Sequence, residues 1–174
     1  MIVVGLFVAL RGGGDEPLPE IQTTDASGTT PARFRPTAAT PKRLEELSNT
    51  LKRRVYWVGP EPRSTYELTQ TSDGQVYVRY LVEGVKVGDP RPNFLTVGTY
   101  PQNDPLKTVT RASKRPGARV EQLPGGGLAV ANRSRPSSWY LAYPDGEELI
   151  EVYSPKPARA RELVRADRVK PVKG

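Results

Sequence analysis

The 174-residue chain contains no cysteine and no histidine. The first absence excludes disulfides, thiolate nucleophiles, cysteine-ligated zinc, iron–sulfur clusters and a lipid-modified cysteine. It leaves the redox compartment open, because a cysteine-free chain is at home on either side of a membrane. The second absence removes the commonest general base, the commonest metal ligand and every Ser-His or Cys-His arrangement. Any catalysis would have to rest on carboxylates, Lys, Tyr or Ser.

Those residues show no catalytic spacing. Glycines cluster at Gly12, Gly13 and Gly14, at Gly84 and Gly88, and at Gly125, Gly126 and Gly127. No Gly-Lys-Ser or Gly-Lys-Thr follows any of them, and none forms a GxGxxG between a strand and a helix. The last cluster falls between two strand-like runs and reads as a turn. The densest acids are Glu147, Glu148 and Glu151. In a regular strand Glu148 and Glu151 point to opposite faces, so they read as a solvated edge and not as an acid–base pair. No calcium loop and no Ser-x-x-Lys is present. No catalytic residue, cofactor or metal site is expected.

Hydrophobic residues are also scarce, at 36% of the chain. The shortfall lies mainly between residues 12 and 40, a stretch rich in Gly, Pro, Thr, Ser and Asp. Such a composition buries too little surface to offset chain entropy and reads as a linker. Ahead of it, residues 1–11 hold ten uncharged residues, MIVVGLFVAL, closed by Arg11. A spanning helix needs about 20 apolar residues, and a signal peptide needs a basic start and a small-residue cleavage site. Three readings remain: the tail of a membrane helix that began upstream, a stunted signal segment, or a first β-strand. The first is favoured, with residues 41–174 as a single tethered domain.

That domain reads as α+β. Thr40 caps a first helix, Pro41 takes its first position, and Leu44, Leu47 and Leu51 form one apolar stripe. Strands are expected over 55–58, 65–71, 75–82 and 94–100, with a tight turn at Asp73-Gly74. Asp104-Pro105 opens a second helix with a stripe of Leu106, Val109 and Ala112. Strands at 118–123, 128–132, 138–143 and 148–153 follow, the last two joined by Asp145-Gly146. Ser154-Pro155 opens a third helix. The expected architecture is mostly antiparallel sheet with three helices, arranged as a tandem pair of α-ββββ units. Tyr77, Arg79, Tyr80, Trp139, Tyr140 and Tyr143 could make a stacking platform on an open sheet. Alternation divides Tyr77 from Tyr80, and core packing is the expected role.

The formal charge is +7. Residues 1–40 sum to −1 and residues 41–174 to +8. The excess looks densest at the C-terminus, so Arg159, Arg161, Arg165, Arg168 and Lys170 are the candidate surface for an anionic partner. Anionic lipid headgroups or cell-wall polyanions are the expected partners, with nucleic acid second. A GC-rich coding sequence, with 18 Arg against 8 Lys, would give a similar charge without selection for binding.

The run Arg54-Val55-Tyr56-Trp57-Val58-Gly59-Pro60, then Tyr66-Glu67-Leu68-Thr69 and residues 74–81 (GQVYVRYL), resembles uncharacterised membrane-anchored proteins of GC-rich bacteria. The likeness covers residues 40–115. It implies a location, a single-pass anchor with an extracytoplasmic domain, and no activity. The alternative is a basic cytoplasmic protein that binds nucleic acid, and a carboxylate-based enzyme is third.

Overall fold

The computed structural model describes residues 35–173, together with the backbone of two short strands, β1 (Val3–Val4) and β2 (Thr23–Thr24), which pair antiparallel. The expectations for the rest of residues 1–11 and of the leader up to residue 34 lie outside the described residues. Among the described residues, no helix is long and apolar enough to cross a membrane.

One described strand falls inside the segment read as linker. Strand β3 (Thr37–Ala39) pairs with β5 (Ser64–Gln70) at one edge of an eight-stranded antiparallel sheet. Three residues of Thr and Ala carry little hydrophobic signal by themselves; β5 supplies the pairing that holds them. Helix α1 (Pro41–Leu51) then starts as its residues dictate. Thr40 is extended, its hydroxyl accepts the Arg43 N–H at 3.1 Å, and Pro41 fits the first turn.

The sheet runs β3-β5-β6-β7-β11-β10-β9-β8, with β6 at Val76–Val82, β7 at Leu95–Pro101, β8 at Ala118–Gln122, β9 at Leu128–Asn132, β10 at Arg135–Ala142 and β11 at Glu148–Tyr153. Each half of the domain supplies four strands, and the halves meet where β7 pairs with β11. In the first half, however, β4 (Tyr56–Trp57) leaves this sheet to pair with β12 (Lys170–Pro171), and β3 takes the fourth place. The α-ββββ order thus holds along both halves, but only in the second do all four strands share the large sheet.

Helix α2 (Pro105–Ser113) packs on one face of the sheet. Its Val109 and Ala112 meet Tyr77, Tyr100, Leu128, Val130, Tyr140 and Leu149. The opposite face carries Val78, Val97, Trp139, Leu141, Ile150 and Val152. There Leu44 and Leu47 of α1 join Ala160, Leu163 and Val164 of α3 (Pro157–Arg165) in the larger core. This two-sided cover explains why β6 reads as a near-continuous apolar run.

Two helix starts differ from expectation. Asp104 precedes α2 but adopts a left-handed backbone (φ 51°, ψ 51°) and makes no capping bond. A capping oxygen is normally aimed from an extended residue. Helix α3 starts at Pro157 and not at Pro155, because Lys156, held before a proline, stays extended (φ −102°, ψ 101°). The Ser154 hydroxyl instead accepts the Lys156 N–H at 3.2 Å, forming a turn before the helix.

Where α2 does not reach, the 83–94 loop covers the sheet. Arg79 donates to Glu67 Oε1 at 2.5 Å and to the Asp89 and Arg91 carbonyls at 3.1 and 2.8 Å, and Gly88 N–H donates to Glu67 Oε2 at 2.6 Å. Phe94 lies beneath the Arg79 and Arg91 guanidinium groups. Within the loop, hydrogen bonds from the Arg91 side chain and N–H hold the Asp89 carboxyl down at about 2.

Candidate binding surface

The five basic residues singled out from sequence lie together on α3 and the segment after it, and all five face carboxylates. Arg159 grips both Glu61 oxygens at 2.9 and 2.8 Å and reaches Glu162 at 2.9 Å. Burial opposes its charge, but the bonds and charges of Glu162 and Glu61 more than offset this, and its pKa is raised. Arg161 makes two bonds to Glu121 Oε1, at 3.0 and 2.9 Å, and Arg165 approaches Glu121 Oε2 at 3.7 Å. Arg168 donates to the Val58 carbonyl at 2.9 Å and to Glu61 at 3.2 Å. Lys170 pairs with Asp167. Glu61 and Glu121 come from distant parts of the chain, so these contacts tie α3 to the loop after β4 and to the outer strand β8. The group works as a clamp with most of its charge compensated.

A second concentration of positive charge lies elsewhere. Residues 105–136 hold seven cations (Lys107, Arg111, Lys114, Arg115, Arg119, Arg133 and Arg135) against one acid, Glu121, which is committed to α3. Lys107, Arg111 and Lys114 recur at i, i+4 and i+7, which stacks them on one stripe of α2. Val109 and Ala112 are buried on the opposite side, so the stripe is exposed. The turn after α2 brings its C-terminal end beside β8 and the β9–β10 turn, where Arg133 N–H bonds the Gly117 carbonyl at 2.9 Å. Counting charge along the chain missed this surface, because the C-terminal cations looked denser until their distant acids were placed. The pattern of three cations opposite an apolar stripe was visible in the α2 sequence.

Beside that stripe runs an open groove of about 1040 Å³, lined by Lys107, Arg111 and Lys114 with Asp104, Glu147 and Gln102. An open groove of this kind suits a surface ligand better than enclosed chemistry. Among the described residues there is no group of three or more acids that could hold a metal ion.

The acids read as a solvated edge are not at an edge. Strand β11 lies inside the sheet, between β7 and β10, and Glu148 and Glu151 are 4% and 1% exposed. Glu147 alone of the three is exposed. The correction has a simple cause: β11 could be placed centrally only by knowing that β7 returns to pair with it. As expected, Glu148 and Glu151 fall on opposite faces. Burial raises the Glu148 carboxyl, while the charge of Arg54 and the N–H groups of Arg54 and Glu147 partly hold it down.

On the α2 face, Glu151 anchors a buried polar network. The Tyr100 hydroxyl donates to Glu151 Oε2 at 2.7 Å, and Tyr77, edge-on to Tyr100, donates to Gln75 Oε1 at 2.5 Å. Burial first, and then the Glu151 charge, push the Tyr100 hydroxyl well above its ordinary value. Gly98, paired with both Tyr77 and Glu151, leaves the space that the Tyr100 ring crosses. Sequence reasoning missed this network. A glycine two residues before a tyrosine in a strand was its only local sign.

Tyr77, Tyr80, Trp139 and Tyr140 are buried and Tyr143 is half-buried, so the aromatics pack as core and present no open stacking platform. The fold defines an α+β sheet module with a basic outer stripe. Comparison with protein-family models, with curated proteins and with solved structures finds no match.

Proposed function

We propose that the chain is a non-catalytic module that binds or scaffolds an anionic partner through the basic stripe of α2 and the neighbouring β8–β10 edge. One observation carries this reading: Lys107, Arg111, Lys114, Arg119 and Arg133 are all exposed, and the one acid within residues 105–136, Glu121, pairs with α3. Its buried acids, by contrast, are held in structural networks, and its groove is open. The apolar segment 1–11 and the acidic, Pro- and Gly-rich leader support an extracytoplasmic module tethered to a membrane. Anionic lipid headgroups or cell-wall polyanions are then the natural partners. A cytoplasmic nucleic-acid binder is the second reading. The row of Lys107, Arg111 and Lys114 would serve it by phosphate contact, without base stacking.

The test compares the full chain with a Lys107→Gln, Arg111→Gln, Lys114→Gln triple variant and with Arg165→Gln. The probes are phosphatidylglycerol vesicles, neutral phosphatidylcholine vesicles, poly(glycerol phosphate) and a DNA duplex, each across a salt titration. The excess binding to anionic over neutral probes should fall at least tenfold in the triple variant and little in Arg165→Gln. It should weaken steeply with salt. DNA bound more tightly than both other anionic probes would favour the second reading. Equal binding to charged and neutral probes, or no loss in the triple variant, would sink both.

A further inference from the structure

Strand β8 closes the sheet on the side away from β3, and one of its sides has no strand partner among the described residues. The direction of its main-chain groups follows from its register. Leu123 N–H donates to the Gly127 carbonyl and Arg133 N–H to the Gly117 carbonyl, each at 2.9 Å. Hydrogen-bonded pairs in an antiparallel ladder recur every second residue. Residues 117, 119, 121 and 123 therefore turn their N–H and C=O toward β9, while Val120 and Gln122 turn theirs outward. Ala118 N–H is taken by the Arg115 carbonyl at 3.1 Å, which leaves the Ala118 carbonyl outward as well.

Edge strands are normally blunted by short length, charged side chains, proline, a bulge or a covering element. Strand β8, Ala-Arg-Val-Glu-Gln, has no proline and no lysine, and its register with β9 is unbroken over five residues. Val120 is 42% exposed and, with Val82, is one of two large apolar side chains exposed among the described residues. The charge around the strand is mainly positive. Arg119 is exposed on it, Lys114 and Arg133 are exposed beside its first residues, and Glu121 is taken up by Arg161 and Arg165.

We propose that the outer edge of β8 is a docking site for an extended acidic segment of a partner protein, which adds a ninth strand to the sheet. The partner's main chain bonds Val120 and Gln122. Its alternate side chains place an apolar group against Val120 and carboxylates beside Arg119. This goes beyond attraction by the α2 stripe, which needs only side-chain charge, whereas docking at β8 needs the backbone.

The probe is a blocked ten-residue peptide of alternating Glu and Val, titrated into the isotope-labelled full chain. Two versions carry N-methyl groups, one on the Val positions and one on the Glu positions. The Val120 and Gln122 amide signals should shift and gain exchange protection. At least one N-methylated version should bind at least tenfold more weakly. Val120→Pro should weaken binding by a similar factor while leaving the melting temperature nearly unchanged, since the lost N–H points away from β9 and has no strand partner among the described residues. If Val120→Pro fails to fold, Arg119→Glu takes its place with the same expected loss. Both methylated peptides binding like the parent, or shifts confined to α2, would overturn docking at β8 and leave the charge reading standing. Absence of binding by this peptide and by every anionic probe above would remove both.

Discussion

Replacing Gly98 with alanine should destabilise the domain severely, although it adds one methyl group to a strand. The backbone there is not left-handed, so the strain is purely steric. A Cβ at residue 98 would lie 2.7 Å from the Tyr100 hydroxyl oxygen and 2.8 and 2.9 Å from two ring carbons. Real Cβ atoms do not sit so close, so something must move. The Tyr100 ring is 5% exposed and lies edge-on to Tyr77 at 5.7 Å, which blocks the obvious escape. Displacing the ring breaks its bond to Glu151 and leaves a buried acceptor short of a partner, at about 1–3 kcal/mol. Overpacking adds about 1–3 kcal/mol. The sum, about 4 kcal/mol, is a large part of the roughly 5–15 kcal/mol that holds a domain folded. Urea unfolding followed by tryptophan fluorescence, from buried Trp139 and half-buried Trp57, measures it directly. Tyr100→Phe should cost about 1–3 kcal/mol alone. In the Gly98→Ala background it should cost much less, because the bond is already broken. A Gly98→Ala midpoint matching the parent, or full additivity of the two changes, would refute the account.

Three further outcomes follow from the same structure. Arg79→Ala should cost about 3–5 kcal/mol by chemical unfolding, because it strands the fully buried Glu67 and releases the 83–94 loop. A double-mutant cycle on Arg161 and Glu121 should instead couple by only about 0.2–1 kcal/mol, since the arginine is half exposed. Glu148→Gln tests the raised carboxyl. A group with an elevated native pKa favours folding when protonated, so parent stability should decline as pH rises from the ordinary carboxylate range through the elevated native value. The variant should lose that decline in thermal melts between pH 4 and 8, and a parallel slope would contradict it.

The fold was legible where local chemistry acts alone. The Thr40-Pro41 start, the Asp73-Gly74 turn and strands β9 and β11, which match their expected limits, all follow from residues adjacent in sequence. What could not be read is what pairing over distance decides. Strand β3 exists because β5 offers it an edge. Strand β4 pairs with β12, more than a hundred residues away, and so leaves the main sheet. A bend in the β9–β10 register lets β10 begin at Arg135, earlier than its apolar residues suggest. The buried state of Glu148 and Glu151 depends on the same kind of fact, the return of β7 to the side of β11.

Charge shows this most sharply, and the functional reading turns on it. Attraction for an anion depends on the cations left over once each near carboxylate has been counted, and nearness is set by the fold. Along the chain, residues 155–174 looked richest, with seven cations against two acids. Folding adds Glu61 and Glu121 to that side, which brings the balance to seven against four and fixes the guanidinium groups of Arg159 and Arg161 in bidentate or doubled bonds. The same Glu121 is thereby withdrawn from the cations of α2, which share their groove with Asp104 and Glu147 instead. One carboxylate on the outer strand thus does two things. It holds α3 in place, and by facing that helix it stays clear of the α2 stripe. Glu121→Gln should accordingly loosen α3 while changing the affinity of the α2 stripe for poly(glycerol phosphate) less than twofold. A larger change would mean that Glu121 already shields the stripe and that the two surfaces are electrically one.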